Sequence, residues 1–137
     1  MALDDKLQER FAAAQQRGFN KVLAFRLVSA GGGKARMEVD VREELQNLGG
    51  TLHGGAIATL VDDAGTIAIM TADREGRPGV TTDLNVSYFA PALGGTKVYA
   101  DATVLKIGKT LAFVSVDITR ATDGVLVAQG RMTKFQG

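Results

Sequence analysis

The chain has 137 residues, and we expect one domain over residues 1–137, since its hydrophobic fraction of 45% and charged fraction of 23% are ordinary for a folded globular protein. The formal net charge is +1 and no block of Lys or Arg occurs, which argues against nucleic acid as the main partner. Because cysteine is absent, disulfides, thiol nucleophiles and thiolate metal sites are excluded.

The N-terminal segment 1–16 predicts a short charged helix, because Leu3, Leu7 and Phe11 recur every four residues. It lacks the continuous apolar run of a secretory signal, and no stretch of the chain is expected to span a membrane. We therefore expect a cytoplasmic protein. An amphipathic mitochondrial presequence is the alternative, and the acidic residues of the segment argue against it.

Six later segments predict β-strands, from alternating or continuous apolar residues bounded by glycine-rich turns. They are residues 22–29, 35–42, 80–89, 96–107, 111–119 and 125–135. Between the second and third strands, residues 54–72 carry apolar or small side chains on nearly all sides at helical spacing, which predicts a long buried helix. This order favours an α+β fold in which a six-stranded antiparallel sheet wraps around one long central helix.

The start of that helix is the most informative part of the chain. The only histidine, His53, precedes the pair Gly54-Gly55, and Asp62 follows about two turns later. A helix N-terminus offers free N–H groups and a partial positive charge, and glycine lets a ligand approach the backbone closely. A carboxylate on an apolar helix costs free energy unless it is paired or used. One end of the helix is therefore predicted to be electrophilic and its middle basic.

The segment 47–55 followed by Asp62, together with residues 78–81 and 105–113, resembles the hotdog-fold acyl-CoA thioesterases. The resemblance is to the phenylacetate-pathway and THEM2-like branch of the 4-hydroxybenzoyl-CoA thioesterase superfamily, which carries the His-Gly-Gly signature. It covers nearly the whole chain. It implies the hotdog fold and hydrolysis of an acyl-CoA thioester to the free acid and CoA.

The resemblance also implies a role for each matching residue. The backbone N–H of Gly54 polarises the thioester carbonyl, and Asn47 helps to hold the carbonyl or the water. Asp62 acts as nucleophile or general base; the sequence does not separate these routes. His53 orients the site, and the Thr81 hydroxyl positions the water.

Asp63 is expected to lie at a polar rim, since adjacent helical residues point about 100° apart. Two rivals remain: a hotdog dehydratase or hydratase acting on acyl chains, and a non-catalytic acyl-CoA-binding module. The intact set of Asn47, Gly54 and Asp62 favours hydrolysis over both. Gly108-Lys109-Thr110 resembles the end of a phosphate loop, but the surrounding pattern predicts a hairpin turn.

Substrate binding is expected to involve Gly55 beside the reacting centre and scattered surface cations for the phosphates of CoA. The candidates are Lys106 and Lys109 near the predicted hairpin, and Arg74 and Arg77 after the helix. CoA is part of the substrate, and we expect no other cofactor. One histidine and no cysteine make a catalytic metal site improbable.

A shared active site follows from helix geometry. Asp62 lies eight residues beyond Gly54, which at about 1.5 Å per residue places it about 12 Å from the Gly54 amide. One helix therefore cannot present both groups to one thioester, whereas two antiparallel copies in a two-fold dimer can. The resemblance implies edge-to-edge pairing of sheets and often a dimer of dimers, so a homotetramer is expected.

Overall fold

The computed structural model describes residues 5–137. It begins with two short helices, α1 (Asp5–Ala14) and α2 (Gly18–Leu23). Helix α1 agrees with the helix predicted near the N-terminus, although Leu3 of that prediction lies outside the described residues.

The predicted strand over residues 22–29 was wrong at its start, because Val22 and Leu23 belong to α2. This helix ends at Ala24, whose backbone is left-handed with φ 50°. The guanidinium of Arg42 donates to the carbonyl oxygens of Val22 and Leu23, the latter at 2.9 Å. A distant arginine thus satisfies the carbonyls that the end of a helix leaves free.

Six strands form one antiparallel sheet in the order β1-β2-β4-β5-β6-β3. They are β1 (Arg26–Gly31), β2 (Lys34–Asp40), β3 (Val80–Tyr88), β4 (Lys97–Ile107), β5 (Leu111–Arg120) and β6 (Leu126–Phe135). A 3₁₀ turn, Glu43–Leu45, leads from β2 toward the long helix α3 (Gly54–Ala72). The predicted α+β architecture, a sheet wrapped around one long helix, is confirmed.

Helix α3 packs against all six strands and supplies the centre of the core. On β5 the predicted alternation is present, and the side chains facing the core are Ala112, Val114, Val116 and Ile118. No membrane-spanning stretch was expected, but α3 meets the criterion for one by length and composition. This is weak evidence, because the buried core helix of a soluble protein meets the same criterion.

Strand β3 forms one edge of the described sheet, and its neighbour in the sheet is β6. It carries exposed apolar side chains, including Leu84 and Tyr88, and Phe89 directly after it is also exposed. The pairing with β6 shifts register between Thr81 and Asp83, which marks a bulge. An unpaired edge with exposed apolar residues is the kind of surface that pairs with another strand.

Candidate active site

The N-terminus of α3 carries one end of the candidate site. His53 caps the helix, and its Nδ1 accepts a hydrogen bond from the Gly55 N–H at 2.8 Å. The His53 N–H donates to the Leu45 carbonyl at 2.8 Å, which fixes the entry of the chain into the helix. The Gly54 N–H has no hydrogen-bond partner among the described residues, so it remains available to an oxyanion.

Tyr88 was not predicted from the sequence, yet it lies beside this helix start. Its hydroxyl donates to the Gly54 carbonyl oxygen at 2.8 Å. A Cβ atom placed on Gly54 would lie 3.5–3.6 Å from the Tyr88 ring carbons and hydroxyl, which is ordinary van der Waals contact. The space at Gly54 is therefore bounded by Tyr88 but not closed by it.

Asn47 holds the loop that precedes the helix. Its Oδ1 accepts from the Gly49 N–H at 3.0 Å and the Thr51 N–H at 3.1 Å, while its Nδ2 donates to Thr51 Oγ1 at 2.9 Å. Both lone pairs of the amide oxygen are occupied, so one Nδ2 hydrogen is left for a substrate or a water. The structure thus gives Asn47 a loop-fixing role that the sequence did not predict.

The second part of the candidate site lies further along α3. Thr81 Oγ1, on β3, donates a hydrogen bond to Asp62 Oδ1 at 2.8 Å, and both residues are half-buried. The structure therefore brings these two predicted residues together. It does not bring Asp62 to Gly54, because about two turns of the same straight helix separate them.

Asp63 was expected at a polar rim, but it is half-buried and lines a cavity between α1 and α3. The cavity is mostly apolar, with Leu7, Phe11 and Ile67 among its walls. Burial and, to a smaller extent, the charge of the neighbouring Asp62 raise the pKa of Asp63 to about 7, while the charge of Lys134 opposes this rise.

Lys134, on β6, also escaped prediction. The residue is only 5% exposed, and its Nζ donates to Thr66 Oγ1 at 2.7 Å. Burial lowers the pKa of Lys134, whereas the charges of Asp62 and Asp63 raise it. The burial pattern of β6 places residue 134 on the core-facing side of the sheet. Its burial could not be predicted from the sequence, because lysine is normally exposed.

The predicted CoA-binding cations do not form one cluster. Lys106 and Lys109 are exposed and form no ion pair within the described chain, and the predicted hairpin at 108–110 is present. Arg77 donates twice to the Asp73 carboxylate, which holds the pKa of Asp73 well below its usual range. Arg74 is exposed in a separate groove beside α1. Among residues 5–137 no group of three or more potential metal ligands occurs.

The model of the thioesterase superfamily matches residues 49–127 of this sequence, which is more than half of the chain. The chain belongs to the thioesterase superfamily. This superfamily member is 50% identical to human acyl-coenzyme A thioesterase 13 over 127 residues, which cover 92% of this chain and 90% of the human protein.

Solved structures agree with this membership. Zebrafish thioesterase superfamily member 2 superposes with a TM-score of 0.92 at 44% identity, over 100% of this chain and 99% of that one. The Streptococcus mutans protein smu.793, solved with acetyl-CoA bound, has a TM-score of 0.78 at 26% identity, over 88% of this chain and 92% of that one. The architecture described above is therefore the hotdog fold of the thioesterases.

Proposed function

We propose that Gly54 and Asp62 carry out the thioester hydrolysis that this acyl-CoA thioesterase performs. The observation that carries the proposal is the Asp62–Thr81 hydrogen bond, half-buried on a helix whose first N–H group is free. The high identity to human acyl-coenzyme A thioesterase 13 supports acyl-CoA as the substrate.

In the proposed reaction a water attacks the thioester carbonyl carbon. Asp62 removes a proton from this water, and Thr81 holds the carboxylate in position. Negative charge develops on the carbonyl oxygen and meets the Gly54 N–H at the positive end of the helix, a type of interaction worth about 3–4 kcal/mol. Collapse of the tetrahedral intermediate breaks the C–S bond, and the thiolate of CoA takes up the proton to leave the free acid and CoA.

A direct attack by the Asp62 carboxylate is the alternative route. It forms a mixed anhydride and releases CoA first, and water then hydrolyses the anhydride. Both routes need an ionised Asp62 and the same oxyanion donor. A single turnover in water enriched in ¹⁸O tests for the anhydride route, because label appears in Asp62 only if water attacks the Asp62 carbonyl carbon of a mixed anhydride.

The proposed site is shared between two copies of the chain. Gly54 and Asp62 of one helix lie about 12 Å apart, too far to act on one carbon atom. The exposed apolar edge of β3 supports edge-to-edge pairing with a second copy, since Tyr88 on this strand also contacts the Gly54 end of α3. Two antiparallel helices would then place Asp62 of each copy opposite Gly54 of the other, and such dimers could pair again into a tetramer.

CoA is proposed to bind with its phosphates near Lys106 and Lys109, which are exposed and form no ion pair within residues 5–137. Arg77 is a weaker candidate because Asp73 already occupies its guanidinium. We further propose that CoA enters only as part of the substrate, with no metal or other cofactor, and that the protein acts in the cytoplasm.

The test is release of free thiol from a panel of acyl-CoAs by the wild type, Asp62→Asn and the control Asp117→Asn. Asp117 is an exposed carboxylate on β5, on the face opposite the core. We expect activity from the wild type and the control and none from Asp62→Asn. Thiol release by Asp62→Asn at most of the wild-type rate would refute the assignment. Hydration of an enoyl-CoA without thiol release would indicate a hydratase, and binding without turnover a binding module.

A further inference from the structure

Lys134 is an unusual residue in the core of this protein. Lysine is rarely buried to this degree unless it is paired, yet the hydrogen bond of Lys134 Nζ goes to a neutral hydroxyl, that of Thr66. An ammonium group with such an environment needs nearby negative charge to offset its desolvation. The mechanism proposed above does not use it.

The register of the sheet places Lys134 beside the residue that holds the candidate catalytic carboxylate. Lys134 on β6 is the cross-strand partner of Thr81 on β3, and paired residues of an antiparallel ladder point to the same face of the sheet. Thr81 uses this position to donate to Asp62. Lys134 uses it to reach Thr66, whose hydroxyl in turn donates to the backbone carbonyl of Asp62 at 2.8 Å.

The charged groups around Lys134 are few. Helix α3 contributes Asp62 and Asp63, and both favour the charged form of the lysine. The β5 neighbour of Lys134 is Ala112, which carries no charge. From α1, Arg10 lines the same cavity as Asp63, and its guanidinium donates to the Gly76 carbonyl.

We propose that Lys134 is a positioning residue whose buried positive charge keeps Asp62 ionised and whose hydrogen bond to Thr66 fixes the turn of α3 that carries it. The inference rests on the proposed function of Asp62. It adds a requirement to the mechanism, because the catalytic carboxylate on α3 would depend on the positive charge of Lys134 on β6. Removing that charge should leave Asp62 harder to ionise and shift the acid limb of activity to higher pH.

The substitution Lys134→Gln separates charge from hydrogen bonding, because glutamine can still donate to Thr66 but carries no charge. Lys134→Arg keeps the charge, and Lys34→Met, at an exposed lysine on β2, is the control for loss of a lysine elsewhere. All variants are made in the Asp63→Asn background, so that the titration of Asp63 near neutral pH does not contribute to the pH profile. The measurement is kcat/KM for one acyl-CoA across pH, with circular dichroism to confirm folding.

We expect Lys134→Gln to move the acid limb upward by about one pH unit, because it removes a positive charge that favours the ionised carboxylate. Lys134→Arg and Lys34→Met should stay close to the background profile. If Lys134→Gln folds and its acid limb does not move, the inference is overturned. If it does not fold, Lys134→Met serves as a second uncharged variant with the same expected shift, and an upward shift in Lys134→Arg would contradict the role of charge.

The proposed function of Asp62 and the role of Lys134 can be refuted separately. Activity that survives Asp62→Asn would refute the proposed function. Loss of activity in Asp62→Asn, together with an unmoved acid limb in the uncharged Lys134 variants, would refute only the role of Lys134.

Discussion

Thr81 and Asp62 meet across the interface between the edge strand and the central helix, with a hydrogen bond of 2.8 Å from hydroxyl to carboxylate. The pair lies 19 residues apart in sequence, and a bulge follows Thr81 in β3. Thr81 Oγ1 also lies 3.6 Å from Met132 Sδ, which is a much weaker acceptor than a carboxylate, so the hydroxyl proton is directed to Asp62. Within residues 5–137, this hydroxyl is the one side-chain donor that contacts the Asp62 carboxylate.

Loss of that hydroxyl should slow catalysis more than it weakens folding. A hydrogen bond to a charged group contributes about 1.5–3 kcal/mol, so Thr81→Val should lower kcat by roughly 10- to 100-fold. Thr81→Ser keeps the donor and should retain most of the turnover. Steady-state kinetics of both variants on one acyl-CoA provide the measurement. A valine variant with wild-type kcat would remove Thr81 from the site.

The Asp63 carboxyl should make stability depend on pH. Its folded pKa of about 7 lies above the ordinary value near 4, so the folded protein binds more protons between these values and stability falls as pH rises through this range. Asp63→Asn removes the carboxyl group and therefore the loss of folding stability that its ionisation causes. It should raise the free energy of unfolding at pH 8, relative to its effect at pH 5, by roughly 1–3 kcal/mol.

Chemical denaturation of the wild type, Asp63→Asn and the exposed control Asp117→Asn at both pH values measures this effect. The control should show no pH-dependent difference from the wild type. Equal stability changes at pH 5 and pH 8 in Asp63→Asn would show that the carboxyl is not destabilised by burial.

Gly54→Ala should reduce turnover while leaving the fold intact. The added methyl group would meet Tyr88 at ordinary contact distances, and alanine is a better helix former than glycine. It would, however, crowd the approach of a thioester to the Gly54 N–H. Thermal unfolding and kcat are measured side by side. A collapse of the unfolding temperature in parallel with kcat would mean that Gly54 is required for packing rather than for the reaction.

Replacing Lys106 and Lys109 together by alanine should raise KM for acyl-CoA more than it lowers kcat. Both ammonium groups are exposed, so their interaction with the CoA phosphates should contribute to binding and not to bond breaking. The effect should diminish at high salt, because exposed charges are screened. An unchanged KM would exclude this pair as the phosphate-binding site.

The sequence was sufficient to predict the helices and strands that have strong local patterns. Helix α3 begins and ends where predicted, because glycine and a polar segment bound a continuous run of apolar residues. The alternation of β5 identified its buried face. Helix α2 was missed because it is only six residues long and its end is held by Arg42, a contact that no local pattern reveals.

The residues that surround the candidate site were harder to predict from the sequence, for a related reason. Tyr88 and Lys134 approach α3 only because of the register between β3 and β6, which a single sequence does not specify. The half-buried position of Asp63 likewise depends on α1, which packs over the cavity that the carboxyl lines. Residues on one helix could be predicted as a set, whereas residues brought to it from distant strands could not.

The shared site is tested most directly by mixing two defective variants, Asp62→Asn and Gly54→Ala. A mixed dimer holds one site with both defects and one site with neither. Co-refolding should therefore restore up to about a quarter of wild-type activity, if half the dimers are mixed and half their sites are intact. The same variants combined without refolding are the control and should show no more activity than the two variants measured separately. Native mass spectrometry that shows mixed dimers, with no return of activity, would contradict a site built from Gly54 of one copy and Asp62 of the other.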